Sequence, residues 1–288
     1  MKNTKEVISF KGTGGLKAAI ITADKPEKLK RKEEEDKKKE EIKKKESGMI
    51  PWPAGYTGKK PRRVDDGVII RLDNLCDIEY NGNIVTVGAG YPLIKLAIET
   101  IDKGLSGLEF AAGIPGFVGA STAMNAGAYN SDMSTVVKSA RVLNDSLEII
   151  TLTNEELLYE YRDSFLKKNK NNYVLSTTFE LKYGDREIMQ NLIAERRRKR
   201  LASQPLNMPS AGSVFRNPTN MYAGELIEKS NLKGYTIGGA KVSEKHANFI
   251  VNNGNATGKD IVELIKKIQK DVKENYNVEL KLEQIIIE

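Results

Sequence analysis

Residues 107–129, GLEFAAGIPGFVGASTAMNAGAY, constrain this chain more than any other stretch. Gly107, Gly113, Gly116, Gly119 and Gly127 lie among Ala111, Ala112, Ala120, Ser121, Ala123, Ala126 and Ala128. Side chains this small cannot fill a core by volume, because protein interiors are packed as densely as organic crystals. They do let a backbone approach another surface closely and expose its N–H groups. Pro115 removes one donor and fixes a turn. Two readings are open on these residues alone. The stretch is a seat for a flat or anionic ligand, with Asn125 able to hydrogen-bond it, or it is a small-residue turn with tight helix packing.

The surrounding composition narrows the class. The 288 residues allow two domains, and 39% hydrophobic with 30% charged residues is a soluble globular balance. No apolar run approaches the roughly 18 residues of a membrane span. The start Met1-Lys2-Asn3 lacks a signal-peptide core, so the cytoplasm is expected. Cys76 is the one cysteine and His246 the one histidine, which leaves no disulfide, no metal site and no histidine-based triad to expect. The net charge of +7 and the run Arg196, Arg197, Arg198, Lys199, Arg200 raise the possibility of nucleic acid. Aromatic residues are only 7% and are not interleaved with a basic stripe, so that reading is the weakest. The same charge suits small anionic ligands. No membrane or obligatory protein partner is expected.

Along the chain, residues 7–10 and 18–22 read as short strands around the turn Gly12-Thr13-Gly14-Gly15. Residues 25–46 are almost wholly Lys, Glu, Arg and Asp, which favours a solvated helix carrying only Leu29 and Ile42 as large apolar anchors. Strands are expected at 68–72, 84–87, 140–143, 148–152 and 174–181, and a short helix at 154–159 with Asn154 as its N-cap. Leu93, Ile94, Ala97 and Ile98 form a helical stripe. A basic helix at 188–201 precedes a composition shift at Gln204-Pro205-Leu206. Ile261, Leu264, Ile265, Ile268 and Val272 mark an amphipathic helix, and 280–287 a closing strand. Strands and helices in mixed order predict an α+β protein.

Four strings, in order, resemble the MurB family of UDP-N-acetylenolpyruvoylglucosamine reductases, FAD enzymes of bacterial cell-wall synthesis. They are GIPGFVGASTAMNAGAY from Gly113, YRDS from Tyr161, SAGSVFRNP from Ser210 and GGAKVSEKHANFIVN from Gly238. The resemblance is specific from residue 72 onward. It implies an FAD-binding domain of the type shared with p-cresol methylhydroxylase and vanillyl-alcohol oxidase, followed by an α+β substrate-binding domain. The implied divisions are 1–72, 73–202 and 203–288. Cofactor contacts would fall on Gly14, Gly15, Gly55, Gly58, Gly113, Ile114, Pro115, Gly116, Gly119, Asn125 and Gly127. Gly14-Gly15 is equally a hairpin turn, and Ala120 departs from a second glycine common in the family. The family's G-x-G-S-N loop keeps Gly55 and Gly58 here but lacks the Ser-Asn pair, and Lys59, Lys60, Arg62 and Arg63 follow. Either these cations replace amide donors to the flavin diphosphate, or flavin binding is impaired and the chain is a non-catalytic binding protein.

The resemblance further implies reduction of enolpyruvyl-UDP-N-acetylglucosamine to UDP-N-acetylmuramate, with FAD as cofactor and NADPH as reductant. Ser213 resembles the proton donor. It has no G-x-S-x-G elbow, and on residues alone a turn serine is the simpler reading. Arg162 matches the partner of the substrate carboxylate, whereas from its own neighbours an ion pair with Asp163 is as good. Glu283 is expected in a strand, sharing a face with Ile285 and Ile287, where a carboxylate is expensive unless paired or working. The alternatives are an edge strand with Glu283 in water, or a one-position slip in alignment that leaves Glu279 as the functional acid. Tyr161, Arg216, Asn217 and His246 match substrate-pocket positions, and His246 is equally a satisfied core histidine.

Overall fold

The computed structural model describes residues 7–8, 11–12, 16–17, 19–21, 70–72 and 74–286. The expected helix at 25–46, the loop carrying Gly55 and Gly58, and the Gly14-Gly15 turn lie outside the described residues. So do the cations at 59–63.

A five-stranded antiparallel sheet forms the first layer. Its strands are β1 (Ile78–Asn81), β2 (Ile84–Gly88), β3 (Val137–Leu143), β4 (Ile149–Thr153) and β5 (Tyr173–Glu180), in the order β4-β3-β5-β2-β1. β1 and β2 join through the two residues Gly82 and Asn83, with Gly82 at φ 60°, the left-handed backbone that such tight hairpins need. Alternation along β2 sends Val85 and Val87 fully inward. Helix α1 (Leu93–Asp102) joins the core on this sheet with Leu93, Leu96 and Ala97, and also buries Ile101. The inward face is therefore turned from the expected stripe. Ile98 is exposed, because Leu96 and Ile101 bring more apolar surface to the other side.

The small-residue stretch folds as a 3-10 turn (Glu109–Gly113), helix α2 (Val118–Ala123) and a two-stranded pair at 127–132. Helix α2 lies so close to the sheet that a Cβ on Gly119 would stand 2.6 Å from the Ala89 Cβ. The Gly119 N–H donates to the Ala89 carbonyl at 2.9 Å, and the Thr122 and Thr177 hydroxyls meet at 2.8 Å. Backbone from Ala112 to Phe117 remains half-buried. The two readings of this stretch thus divide along it: 118–127 is tight packing, while 112–117 is available surface.

The expected helix at 154–159 is a turn. Thr153, not Asn154, plays the capping part: its N–H donates to the Glu156 carboxylate at 2.8 Å and its hydroxyl accepts from the Glu156 N–H at 3.3 Å. Asn154 instead donates to the carbonyls of Ser134 and Val137. Helix α3 (Phe165–Lys168) follows, capped by Ser164. Helix α4 (Arg186–Ser203) is capped by Asp185 and buries only Met189 completely.

A second cluster of apolar side chains forms around β6 (Ser210–Ser213), β7 (Thr236–Ile237), β8 (Ala240–Val242) and β9 (Phe249–Asn252), an antiparallel sheet in the order β6-β9-β8-β7. Helix α5 (Ala223–Lys229) and helix α6 (Gly258–Tyr276) pack on it. Helix α6 starts in a reciprocal Thr257–Asp260 capping box, ends at Asn277 with φ 55°, and buries Leu264, Ile265, Ile268 and Val272 on the expected face. The closing strand reduces to one bridge, Phe215 with Leu282. Ile285 is 70% exposed and packs no apolar face beside Glu283; Ile287 lies outside the described residues.

Gly119→Ala is expected to destabilise the protein by about 1–3 kcal/mol, since the added methyl must push α2 off the sheet. Urea denaturation should show a lower midpoint at an unchanged slope; a midpoint equal to that of the parent protein would contradict this packing.

Candidate active site

Arg162 sits in a two-residue turn closed by mutual backbone hydrogen bonds between Glu160 and Asp163. Its φ of 57° is left-handed, which costs a non-glycine residue about 1–2 kcal/mol. The side chain is held on two sides. Nη2 donates to the Gly127 carbonyl at 2.6 Å, and Nε stands 3.2 Å from Oε1 of Glu283. The Arg162–Asp163 pair suggested by sequence proximity does not form; Asp163 accepts from the Ser164 N–H instead.

Glu283 reaches this position through the C-terminal segment. The Glu283 N–H donates to the Val214 carbonyl at 2.8 Å, and the Arg216 N–H to the Lys281 carbonyl at 2.9 Å. Leu280 is buried and Leu282 packs against the second apolar cluster, so alternation turns Glu283 the other way. Its Oε2 lies 3.6 Å from Nε of Arg216. One carboxylate thus stands between two guanidiniums, with the three side chains 17–26% exposed. Neither Glu283 Oε2 nor Arg216 Nε has a hydrogen-bond partner among the described residues. Glu279 is far more exposed, faces Lys273 at 3.7 Å and is not among the residues lining the cleft described below.

Ser213 ends β6, just past a break in register with β9, where Gly212 adopts φ 80°. Such a bulge re-aims the next side chain, and Ser213 is exposed. The segment after it is locked by Asn248, buried to 5%, whose amide donates to the Phe215 carbonyl at 2.8 Å and accepts from the Phe215 N–H at 2.9 Å. His246 accepts the Asn248 N–H at Nδ1, 3.2 Å away, which leaves its proton on Nε2. Burial, with Lys233 adding to it, pushes the imidazole below its ordinary value of 6.5. Gly224 leaves room for the ring: a Cβ there would be 3.3 Å from Cε1. Asn217 accepts the Ala223 N–H at the start of α5. Tyr161 is 54% exposed, with the Arg162 guanidinium over its ring.

Ser213, Arg162, Glu283, Tyr161, Arg216, Asn217 and His246 line one cleft of about 480 Å³. Sequence reasoning missed Tyr222, Glu225, Glu228, Ser203 and Lys245 on the same walls. Lys245 donates to the Leu201 carbonyl at the end of α4. Of the expected cofactor positions, Gly113, Ile114, Pro115, Gly116, Gly119, Asn125 and Gly127 lie outside these walls and reach the cleft through the Gly127–Arg162 bond. Asn125 is 2% exposed and wholly engaged, donating to Asp132 and the Glu160 carbonyl and accepting from the Ser134 N–H.

Arg200 is a further missed residue. Its guanidinium donates to the Gly113 carbonyl and, at 2.8 Å, to Gln204, it forms no ion pair with a carboxylate among the described residues, and burial lowers its pKa. A shielded cation beside the half-buried backbone of 112–117, where Gly116 takes φ 140°, fits an anionic or electron-rich flat group such as a flavin. Arg200 hides inside the basic run, but helical period gives it away. Met189, Leu192, Ile193, Arg196 and Arg200 share the inner face of α4.

Residues 204–287 match the family model for the C-terminal domain of UDP-N-acetylenolpyruvoylglucosamine reductase, and residues 49–153 match one for an FAD binding domain. The UDP-N-acetylenolpyruvoylglucosamine reductase of Bacillus pumilus is 48% identical over 222 residues, covering 77% of this chain and 73% of that protein. The enzyme of Anoxybacillus flavithermus is 47% identical over 242 residues, 83% of this chain and 80% of its own. The crystal structure of UDP-N-acetylenolpyruvylglucosamine reductase (MurB) from Thermus caldophilus superposes with a TM-score of 0.62 at 36% identity, covering 71% of this chain and 72% of that one. The expected α+β class, with a flavin-binding domain ahead of a substrate-binding one, is thereby borne out. With identity this high over most of both chains, the protein belongs to the MurB family of UDP-N-acetylenolpyruvoylglucosamine reductases.

Proposed function

We propose that this chain reduces enolpyruvyl-UDP-N-acetylglucosamine to UDP-N-acetylmuramate, drawing electrons from NADPH through bound FAD. The observation that carries this reading is the meeting of a hydroxyl, a guanidinium and a carboxylate in one cleft. Ser213, Arg162 and Glu283 come from separate elements of the chain. The bound FAD supplies the hydride; the protein supplies orientation, charge and a proton. Backbone at Gly113, Ile114, Pro115 and Gly116, with Arg200 behind it, would hold the flavin, while Gly119, Asn125 and Gly127 keep that backbone in place. Gly14, Gly15, Gly55 and Gly58 complete the cofactor set by family resemblance.

Arg162 presents fixed N–H donors to the enolpyruvyl carboxylate and stabilises the negative charge that would develop on it as the double bond is reduced, while Glu283 holds that guanidinium in place. Ser213 gives a proton to C2. Arg216 serves the diphosphate, with Asn217 and Tyr161 at the edges of the cleft. His246, neutral and carrying its proton on Nε2, donates one hydrogen bond to the sugar nucleotide. Of the divisions 1–72, 73–202 and 203–288, the one at 203 draws support from two separate apolar clusters, one within 72–181 and one within 214–280. No helix among the described residues is long and apolar enough to cross a membrane. We place the reaction in the cytoplasm, with a small UDP-sugar as the partner.

Ser213→Ala should keep the yellow colour of the flavoprotein and its reduction by NADPH. Oxidation of the reduced flavin by the enolpyruvyl substrate should slow by about 100-fold or more, the scale of a lost general acid. Turnover at the parental rate would overturn the proton-donor assignment, and a preparation that stays colourless after FAD titration would overturn the reaction itself. Because His246 is the sole histidine, its imidazole proton signals can be followed by NMR without assignment. They should titrate with a midpoint below 6.5. Since the folded state resists this proton, stability should decline as pH falls through 6.5 toward that midpoint. A midpoint at or above 6.5 would contradict the buried neutral ring.

A further inference from the structure

Beside the turn that carries Arg162 stands a half-buried cation that the reaction described above leaves unused. Lys167, on the single turn of α3, folds its side chain back so that Nζ donates to the Arg162 carbonyl at 2.7 Å. The backbone of α3 is fixed independently. Ser164 accepts the Lys167 N–H at 3.2 Å while its own hydroxyl donates to the Ala123 carbonyl. Arg162 is therefore gripped at both ends, its carbonyl by Lys167 and its guanidinium by Gly127 and Glu283. The Glu160–Asp163 hydrogen bonds close the turn, and Lys167 adds an anchor on the carbonyl of its left-handed residue, which opposes rotation of that peptide. The ionic groups facing Lys167 are Arg216, Glu283, Asp163 and Arg162. Burial first, and then Arg216, lowers the pKa of the amine from 10.5.

We infer that Lys167 is a positioning residue for this reaction: by clamping the carbonyl of a left-handed Arg162, it holds that guanidinium on Glu283 in the geometry the substrate carboxylate needs. The assignment rests on the proposed reduction and adds to it a residue that touches neither substrate nor flavin. Simple structural support would act on folding alone. Positioning acts through Arg162 and depends on the charge of the amine.

The test is stopped-flow oxidation of the NADPH-reduced holoenzyme by enolpyruvyl-UDP-N-acetylglucosamine, with substrate affinity measured separately by calorimetry. Lys167→Met should slow flavin oxidation at least tenfold, with substrate Kd within about threefold and the rate of flavin reduction by NADPH unchanged. Lys167→Arg should recover most of the rate. It should also stay fast at alkaline pH, where the parent protein slows as Lys167 loses its proton below 10.5. In an Arg162→Met background, Lys167→Met should add no further loss, because both act through one guanidinium. A Lys167→Met rate equal to the parent's, losses that multiply in the double variant, or identical alkaline limbs for the parent and Lys167→Arg would each overturn the inference. Should Lys167→Met fail to fold, the alkaline comparison with Lys167→Arg decides alone. A parent protein whose reduced flavin is not oxidised by the substrate would overturn the reaction, and this role with it.

Discussion

The Glu283 carboxylate, lying between the guanidiniums of Arg162 and Arg216, is the interaction on which the site depends. Arg162 lies between Tyr159 and Phe165, which pack on the first apolar cluster, while Arg216 and Glu283 follow Phe215 and Leu282 of the second, so this contact joins the two walls of the cleft. Charges this far out of water are expensive unless paired. Here the pairing is deliberately incomplete in sign: Arg162, Arg216 and Lys167 surround Glu283, with Asp163 near Lys167. The surplus of positive charge is what a substrate carrying a carboxylate and a diphosphate would balance. Everything local serves that arrangement. A left-handed turn aims Arg162, a bulge at Gly212 aims Ser213, alternation along 280–283 aims Glu283, and the Asn248 amide holds the strand between them.

The small-residue stretch serves two ends at once. Gly119 and Gly127 are required because the backbone they sit on touches other backbone: a Cβ on Gly127 would lie 2.5 Å from the Ser131 carbonyl oxygen. That close contact holds 112–117 as a stiff surface over Arg200 and places the Gly127 carbonyl where Arg162 can reach it. Packing and ligand presentation are here consequences of the same residues, which is why the composition of the stretch could not decide between them.

What was legible in the sequence was whatever repeats or alternates. The face of α6 follows from its apolar spacing, and the placing of Glu283 opposite Leu282 from strand alternation. Less legible was anything decided by a partner distant in sequence. The buried face of α1 carries Leu96 and Ile101 and leaves Ile98 exposed. Asn154 looked like a cap but found the carbonyls of Ser134 and Val137. The closing strand shrank to one bridge because the edge of β6 is itself interrupted at its bulge. Helical period marks the face of Arg200 but not its contact with the Gly113 carbonyl, and no spacing rule records the bonds of Lys167 to the Arg162 carbonyl or of Asn248 to the Phe215 carbonyl.

The most direct measurement on the central claim is the oxidation rate of NADPH-reduced flavin by the enolpyruvyl substrate in Glu283→Gln. This substitution keeps the shape of the side chain and removes its charge. The account predicts a folded, yellow protein whose flavin is reduced at the parental rate but oxidised by substrate about 100-fold or more slowly. Oxidation at the parental rate would show that the carboxylate between the two guanidiniums takes no part in the chemistry, and the account of the site would fail.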